Sequence, residues 1–202
     1  ARAHALQLLD HVLRQKRTLD EAVATYPASG PETDMKFTMM LTLTVLRHLG
    51  QIDAIIAKHL EKPLPPKRIA VTNTLRLGVA QLLWLSTPTH AAVNETVALL
   101  KTGPNKTFVS LVNAVLQNMV REQPTIPVAM HNVPPHVETR WKQAYGKQSF
   151  DTIAKVAATR PPLDLHTASE MQHATRLDSN IIRLSPDHPP VETLPGFEDG
   201  TF

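Results

Sequence analysis

Apolar side chains along residues 1–123 recur at three- and four-residue intervals, the spacing that lines one face of an α-helix. Leu6, Leu9 and Leu13 form the first stripe. Met35, Met39, Leu43, Leu46 and Leu49 form the next, with Gly50 expected as its stop. A shorter helix is expected through Ile52, Ile55 and Ile56, ending before Pro63-Leu64-Pro65-Pro66. The run after it is the most apolar of the chain. Val71, Leu75, Val79, Leu82 and Leu85 make one stripe, and Leu77, Leu83 and Trp84 widen it. So broad a surface predicts a central helix over residues 67–85, touched from several sides. Val93, Val97 and Leu100 mark a further helix closed by Gly103-Pro104, and Phe108, Val112, Val115 and Met119 mark the last. No strand-like alternation interrupts these residues, so the first part of the chain reads as all-α.

Start signals agree with the stripes. Thr18-Leu19-Asp20-Glu21 has the capping-box form, in which the Thr hydroxyl accepts from the Glu21 amide and the Glu carboxylate reaches back. Ser29-Gly30-Pro31-Glu32 marks a second start, with proline near the first helical position. Pro124, Pro127, Pro134 and Pro135 then remove amide donors and disfavour helix before them, so residues 124–135 read as a linker or extended crossing segment. Beyond it the pattern mixes. Residues 136–145 and 149–159 look helical, Pro161–His166 reads as a short strand, 168–177 as a helix and Ile181–Leu184 as a second strand. The expectation is mainly α: a helical bundle over 1–123, a proline-rich linker over 124–135, and a small α+β unit over 136–202. Trp141 and Tyr145, one helical turn apart, are expected in the core of that unit, the alternative being that they stack on bases.

Composition narrows the chemistry. Hydrophobic residues make up 42% of the 202 residues and aromatics 4%, so aliphatic side chains and alanine must build the core. No cysteine is present, which excludes disulfides, thiolate metal sites and a cysteine nucleophile in this chain. The lack of cysteine fits a cytoplasmic location. No run reaches the roughly 18–20 apolar residues of a membrane span. The chain begins at Ala1 within a helical pattern, and the natural start is expected upstream or removed. The net charge of +3 is uneven: residues 1–123 hold 14 Lys+Arg against 9 Asp+Glu, a balance of +5, and residues 124–202 hold 7 against 9, a balance of −2. A basic first domain suits an anionic partner such as RNA.

Motifs of phosphate and metal chemistry are missing. No G-x-G-x-x-G or P-loop occurs among the seven glycines. The ten histidines include no His-x-x-x-His; His4 and His11 are two turns apart, so no metal site is expected. Arg76, in the most apolar helix, is expected to pair with an acid.

Thr74-Leu75-Arg76-Leu77-Gly78-Val79-Ala80-Gln81-Leu82-Leu83, then Pro88–Val97, then Lys106 with Phe108 through Asn113-Ala114-Val115-Leu116, resemble in order the central helix, the next helix and the last helix of NusB-like domains. Leu46-Arg47 followed by Ile52-Asp53 fits the same family. Further on, Arg140-Trp141 with Tyr145-Gly146, Pro161-Pro162-Leu163-Asp164-Leu165, and Leu194–Gly200 resemble the segments that follow the NusB-like domain in Sun/Fmu-type ribosomal RNA cytosine-5 methyltransferases. The resemblance implies an RNA-binding N-terminal region that positions small-subunit ribosomal RNA. The parent would be an S-adenosylmethionine-dependent enzyme, its catalytic domain and two reactive cysteines following residue 202. This chain itself would hold no catalytic residue, no cofactor and no metal. On the same resemblance, Arg2, Arg14, Lys16 and Arg17 would contact phosphates, with Lys101 and Lys106 extending the patch. A solvated helix face with a favourable basic end is the plainer reading of the first four. Lys58, Lys62, Lys67 and Arg68 are expected to be solvated surface. Asn94, Glu95 and Asn113 match family motif positions and are expected to satisfy backbone amides or sit buried. Two other functions remain open: a stand-alone NusB-like antitermination factor, and a bracing domain without RNA contact.

Overall fold

A computed structural model of the protein describes residues 1–27, 30–167, 169–186, 188–198 and 200, the side chain of Met130 excepted. The chain divides into two compact units, Ala1–Ala158 and Thr159–Phe202. The described residues are mainly helical, with a small antiparallel sheet in the second unit. The expected start at Ser29 falls outside them.

The first unit carries α1 (Arg2–Leu13), α2 (Leu19–Thr25), α3 (Glu32–Arg47), α4 (Leu49–His59), α5 (Ile69–Leu83), α6 (Thr89–Ala98), α7 (Val109–Glu122) and α8 (Pro135–Ala157). Short 3-10 turns precede α5 (Pro66–Arg68), α7 (Lys106–Phe108) and α8 (Ala129–Asn132). The wide apolar surface of α5 has the expected consequence: α1, α3, α4, α6 and α7 all pack on it. Val71, Leu75, Leu77, Val79 and Ala80 are completely buried, each large aliphatic contributing ~1.5–3 kcal/mol relative to exposure. Leu82, expected in the same stripe, is only half-buried at the edge of this core. Among the described residues no single helix is long and apolar enough to cross a membrane.

On α3 the buried face is not the one the methionines suggested. Leu41 and Val45 face the core with Thr38, Thr42 and Thr44, while Leu43 is 37% exposed. The threonines are burial-compatible because their hydroxyls have acceptors: Thr42 donates to the Thr38 carbonyl (2.8 Å) and Thr44 to the Met40 carbonyl (2.7 Å). After Arg47 the chain bends by 77° into α4. Gly50 is therefore not a stop but the second residue of α4. A Cβ there would lie 1.6 Å from the His131 carbonyl oxygen, so glycine is what lets the crossing segment lie against α4. That segment is fastened rather than free. The Gln51 side chain donates to the Pro127 carbonyl, the Gln51 amide donates to Asn132 Oδ1 (2.9 Å), and Asn132 Nδ2 donates back to Gln51 Oε1 (2.8 Å). The 3-10 turn at Ala129–Asn132 also packs against α8. The helices expected at 136–145 and 149–159 thus close the first unit instead of opening the second. They are one helix with a break at Gly146, whose φ of 77° and ψ of 165° suit glycine alone.

In the second unit β1 (Asp164–His166), β2 (Ala174–Asp178) and β3 (Ile181–Leu184) form an antiparallel sheet in the order β1-β3-β2. Leu165, Ile182, Leu184 and Leu194 make its core, with Met171, Ala174 and Val191 against it. The helix expected at 168–177 is replaced by β2. Its composition permits a helix, but Ser179-Asn180 forms a two-residue turn that folds β2 back on β3, and ladder pairing decides. Arg176 ties the loop before β2 to the turn after it by donating to the carbonyls of Ser169 (3.0 Å) and Ser179 (2.9 Å). Trp141 and Tyr145 are not in this core: Trp141 is half-buried and Tyr145 is 60% exposed on α8.

Candidate nucleic-acid interface

The residues between α1 and α2 are a cationic corner. Arg14 caps α1 and stays exposed, its guanidinium held by Asp10 one turn back through Nε–Oδ1 (2.9 Å) and Nη2–Oδ2 (2.7 Å) bonds. That hydrogen bond raises the Arg14 pKa above its ordinary value. Lys16 adopts a left-handed φ of 61°, which turns the chain, and Thr18 then starts α2 with the complete capping box. Thr18 Oγ1 accepts from the Glu21 amide (3.2 Å) and Glu21 Oε2 accepts from the Thr18 amide (2.9 Å). Arg17 lies 3.8 Å from Glu21, both side chains largely in water, so the pair is weak.

Tertiary structure brings a second basic segment to this corner. Arg14 and Lys67 line one cleft of about 450 Å³ together with Gln7, Asp10, Tyr26 and Ile69. Lys67 is exposed, as expected of solvated surface, and the fold sets it in the same cleft as Arg14. Its neighbour Arg68 reaches the other way, donating to Asn105 Oδ1 (3.3 Å) and lying 5.1 Å from the centre of the Phe108 ring. Arg68 thereby ties the start of α5 to the 3-10 turn carrying Lys106, across the Gly103-Pro104 turn from Lys101. Lys16, Lys67, Lys101 and Lys106 are all exposed, and among the described residues no carboxylate pairs with them. Such lysines and arginines bind anions at low desolvation cost and exchange counterions for phosphates.

Arg2 is placed elsewhere. Its Nε donates to Oε1 of the fully buried Gln81 (2.6 Å), and its guanidinium lies 5.1 Å from the centre of the Phe37 ring. Gln81 in turn donates to Thr96 Oγ1 and the Leu77 carbonyl, so Arg2 completes an internal network. Arg76 pairs with an acid as expected: Nε and Nη2 each donate to Asp53 at 2.7 Å, and Nη1 donates to Asn73 at 2.7 Å. Asn94, Glu95 and Asn113 do not play the structural part expected of them. Asn94 and Glu95 lie in the body of α6, Asn113 lies in α7, and all three are exposed. Among the described residues no group of three or more His, Cys, Asp or Glu side chains is arranged to hold a metal.

Residues 1–121 match the NusB family, which is well over half of the chain. The chain belongs to the NusB family. Beyond that domain, similarity continues across almost the whole sequence to proteins named ribosomal RNA small subunit methyltransferase B. The protein of Escherichia coli strain SMS-3-5 is 28% identical over 220 residues, and that of Shigella flexneri serotype 5b is 29% identical over 222. Each match takes in 98% of this chain and 51% of the relative. This NusB-family chain therefore spans about half the length of the curated relatives it matches.

Proposed function

We propose that this chain is the RNA-binding N-terminal region of an S-adenosylmethionine-dependent small-subunit ribosomal RNA cytosine-5 methyltransferase, and that it positions the RNA for a catalytic domain beyond it. The observation that carries the reading is the basic face: Arg14, Lys16 and Arg17 from the α1–α2 corner, with Lys67 beside Arg14 in one cleft. In this reading Lys101 and Lys106 extend it, the bond from Arg68 to Asn105 linking the segment that carries Lys67 to the one that carries Lys106. Arg2, engaged with Gln81 and Phe37, is left out. Similarity over 98% of the chain to named ribosomal RNA methyltransferases, rather than over residues 1–121 alone, favours this reading over a stand-alone antitermination factor. In this reading the thiolate that adds to the cytosine ring comes from that further domain, since this chain has no cysteine, and S-adenosylmethionine is bound there as well.

A test uses the longer protein. Lys16→Glu combined with Lys67→Glu is expected to raise KM for small-subunit ribosomal RNA about tenfold or more while kcat changes little, because binding made equally in ground and transition states sets KM alone. An unchanged KM would dismiss the positioning role.

A further inference from the structure

Trp141, Lys142 and Tyr145 lie within one turn of each other on α8, and we infer that this face is a second RNA contact, stacking an unpaired nucleobase on the Tyr145 ring. The inference rests on the RNA-binding reading above but concerns a different surface. Tyr145 is 60% exposed, a large ring left in water by a chain with few aromatics. It belongs to neither apolar core. Its place is fixed by the break that follows it: Gly146 at φ 77° ends the helical segment directly after Tyr145. A Cβ at Gly146 would meet nothing within 4 Å, so the glycine serves the backbone turn and not a neighbour. One turn before Tyr145, Lys142 pairs with Glu138 and lies 5.0 Å from the centre of the Phe150 ring.

Charge selects the occupant. Residues 136–155 carry Arg140, Lys142, Lys147 and Lys155 against Glu138 and Asp151; with Lys142 and Glu138 paired to each other, Arg140, Lys147 and Lys155 face one carboxylate, Asp151. The neighbours Gln143, Ala144, Lys147 and Gln148 are exposed and polar or small. A protein partner seeking an apolar surface finds only the Tyr145 ring and part of the half-buried Trp141 here. A nucleic acid finds a stacking face with cations for its phosphates, the combination that binds single strands. Duplex RNA hides its base faces, so the preference is for unpaired nucleotides.

The test compares the 202-residue chain with its Tyr145→Ala and Tyr145→Phe variants. The probes are a short fluorescein-labelled single-stranded oligoribonucleotide, its abasic counterpart and a duplex of the same length, read by anisotropy. Tyr145→Ala is expected to weaken binding to the single strand about tenfold, with the salt slope and thermal midpoint unchanged. Tyr145→Phe should bind as the parent does, and the abasic strand and the duplex should not tell Tyr145→Ala from the parent. Equal affinity of parent and Tyr145→Ala for the single strand overturns the inference. So does a Tyr145→Ala change that leaves RNA affinity intact but lowers the thermal midpoint of the longer protein only, which would make the face a protein contact. Failure of the parent chain to bind any of the three RNAs would instead overturn the underlying RNA-binding reading.

Discussion

The Arg76 guanidinium is almost wholly buried, and Asp53 supplies two of its three hydrogen bonds. Asp53→Ala strands that charge; the cost is expected at ~1–3 kcal/mol in urea unfolding, below the full penalty of a buried pair because the Asp53 side chain is 40% exposed. Gly50→Ala drives a methyl group into the His131 carbonyl and should cost ~1–3 kcal/mol in the same measurement, loosening the crossing segment. His48 responds to pH. It is half-buried, stacked on Trp84 at 4.8 Å and bonded to Gln51 (2.9 Å); burial pushes its pKa below the ordinary 6.5, with Arg47 adding to the effect and Gln51 opposing it. Because the folded value is lower than the unfolded one, this contribution is complete above 6.5 and is lost as pH falls through the folded value. The thermal midpoint should fall on acidification through that window, and less so in His48→Phe, as calorimetry would register. The pairing of Arg76 was legible because a cation in an apolar stripe needs an acid. The exposure of Asn94, Glu95 and Asn113 was not, since a polar residue reads alike on either side of a helix.

Helices were legible wherever the apolar period was long and unbroken. The α5 stripe gave its own centrality, and the capping box at Thr18 gave the start of α2. The buried face of α3 was misread because methionine and leucine outweighed threonine, whose hydroxyl can be satisfied by the preceding turn. β2 was misread because a short segment without glycine or proline takes its state from the strand it pairs with. The division of α8 at Gly146 was legible as a gap between two helical runs, though its packing on the 129–132 turn was not. Gly146→Ala should cost ~1–3 kcal/mol and reduce helical circular dichroism little, since the break is conformational and the flanking helices remain. A cost near zero would show that the break is not enforced.

Charge works over the first unit as a field rather than as single contacts. The +5 balance of residues 1–123 could be counted in the sequence. The placing of Lys67 in one cleft with Arg14 could not, because more than fifty residues of intervening chain must fold to bring the two segments together. On the proposed function, this corner neutralises RNA phosphates. The most direct measurement is the salt dependence of binding to a small-subunit ribosomal RNA fragment, for the chain and for Arg14→Ala/Lys16→Ala/Arg17→Ala. Affinity should fall linearly on logarithmic axes as salt rises, and the triple variant should bind less tightly with a slope shallower by roughly one to two, since Asp10 and Glu21 already offset part of the charge. No binding at low salt, or identical slopes for the two proteins, would exclude phosphate neutralisation by this corner.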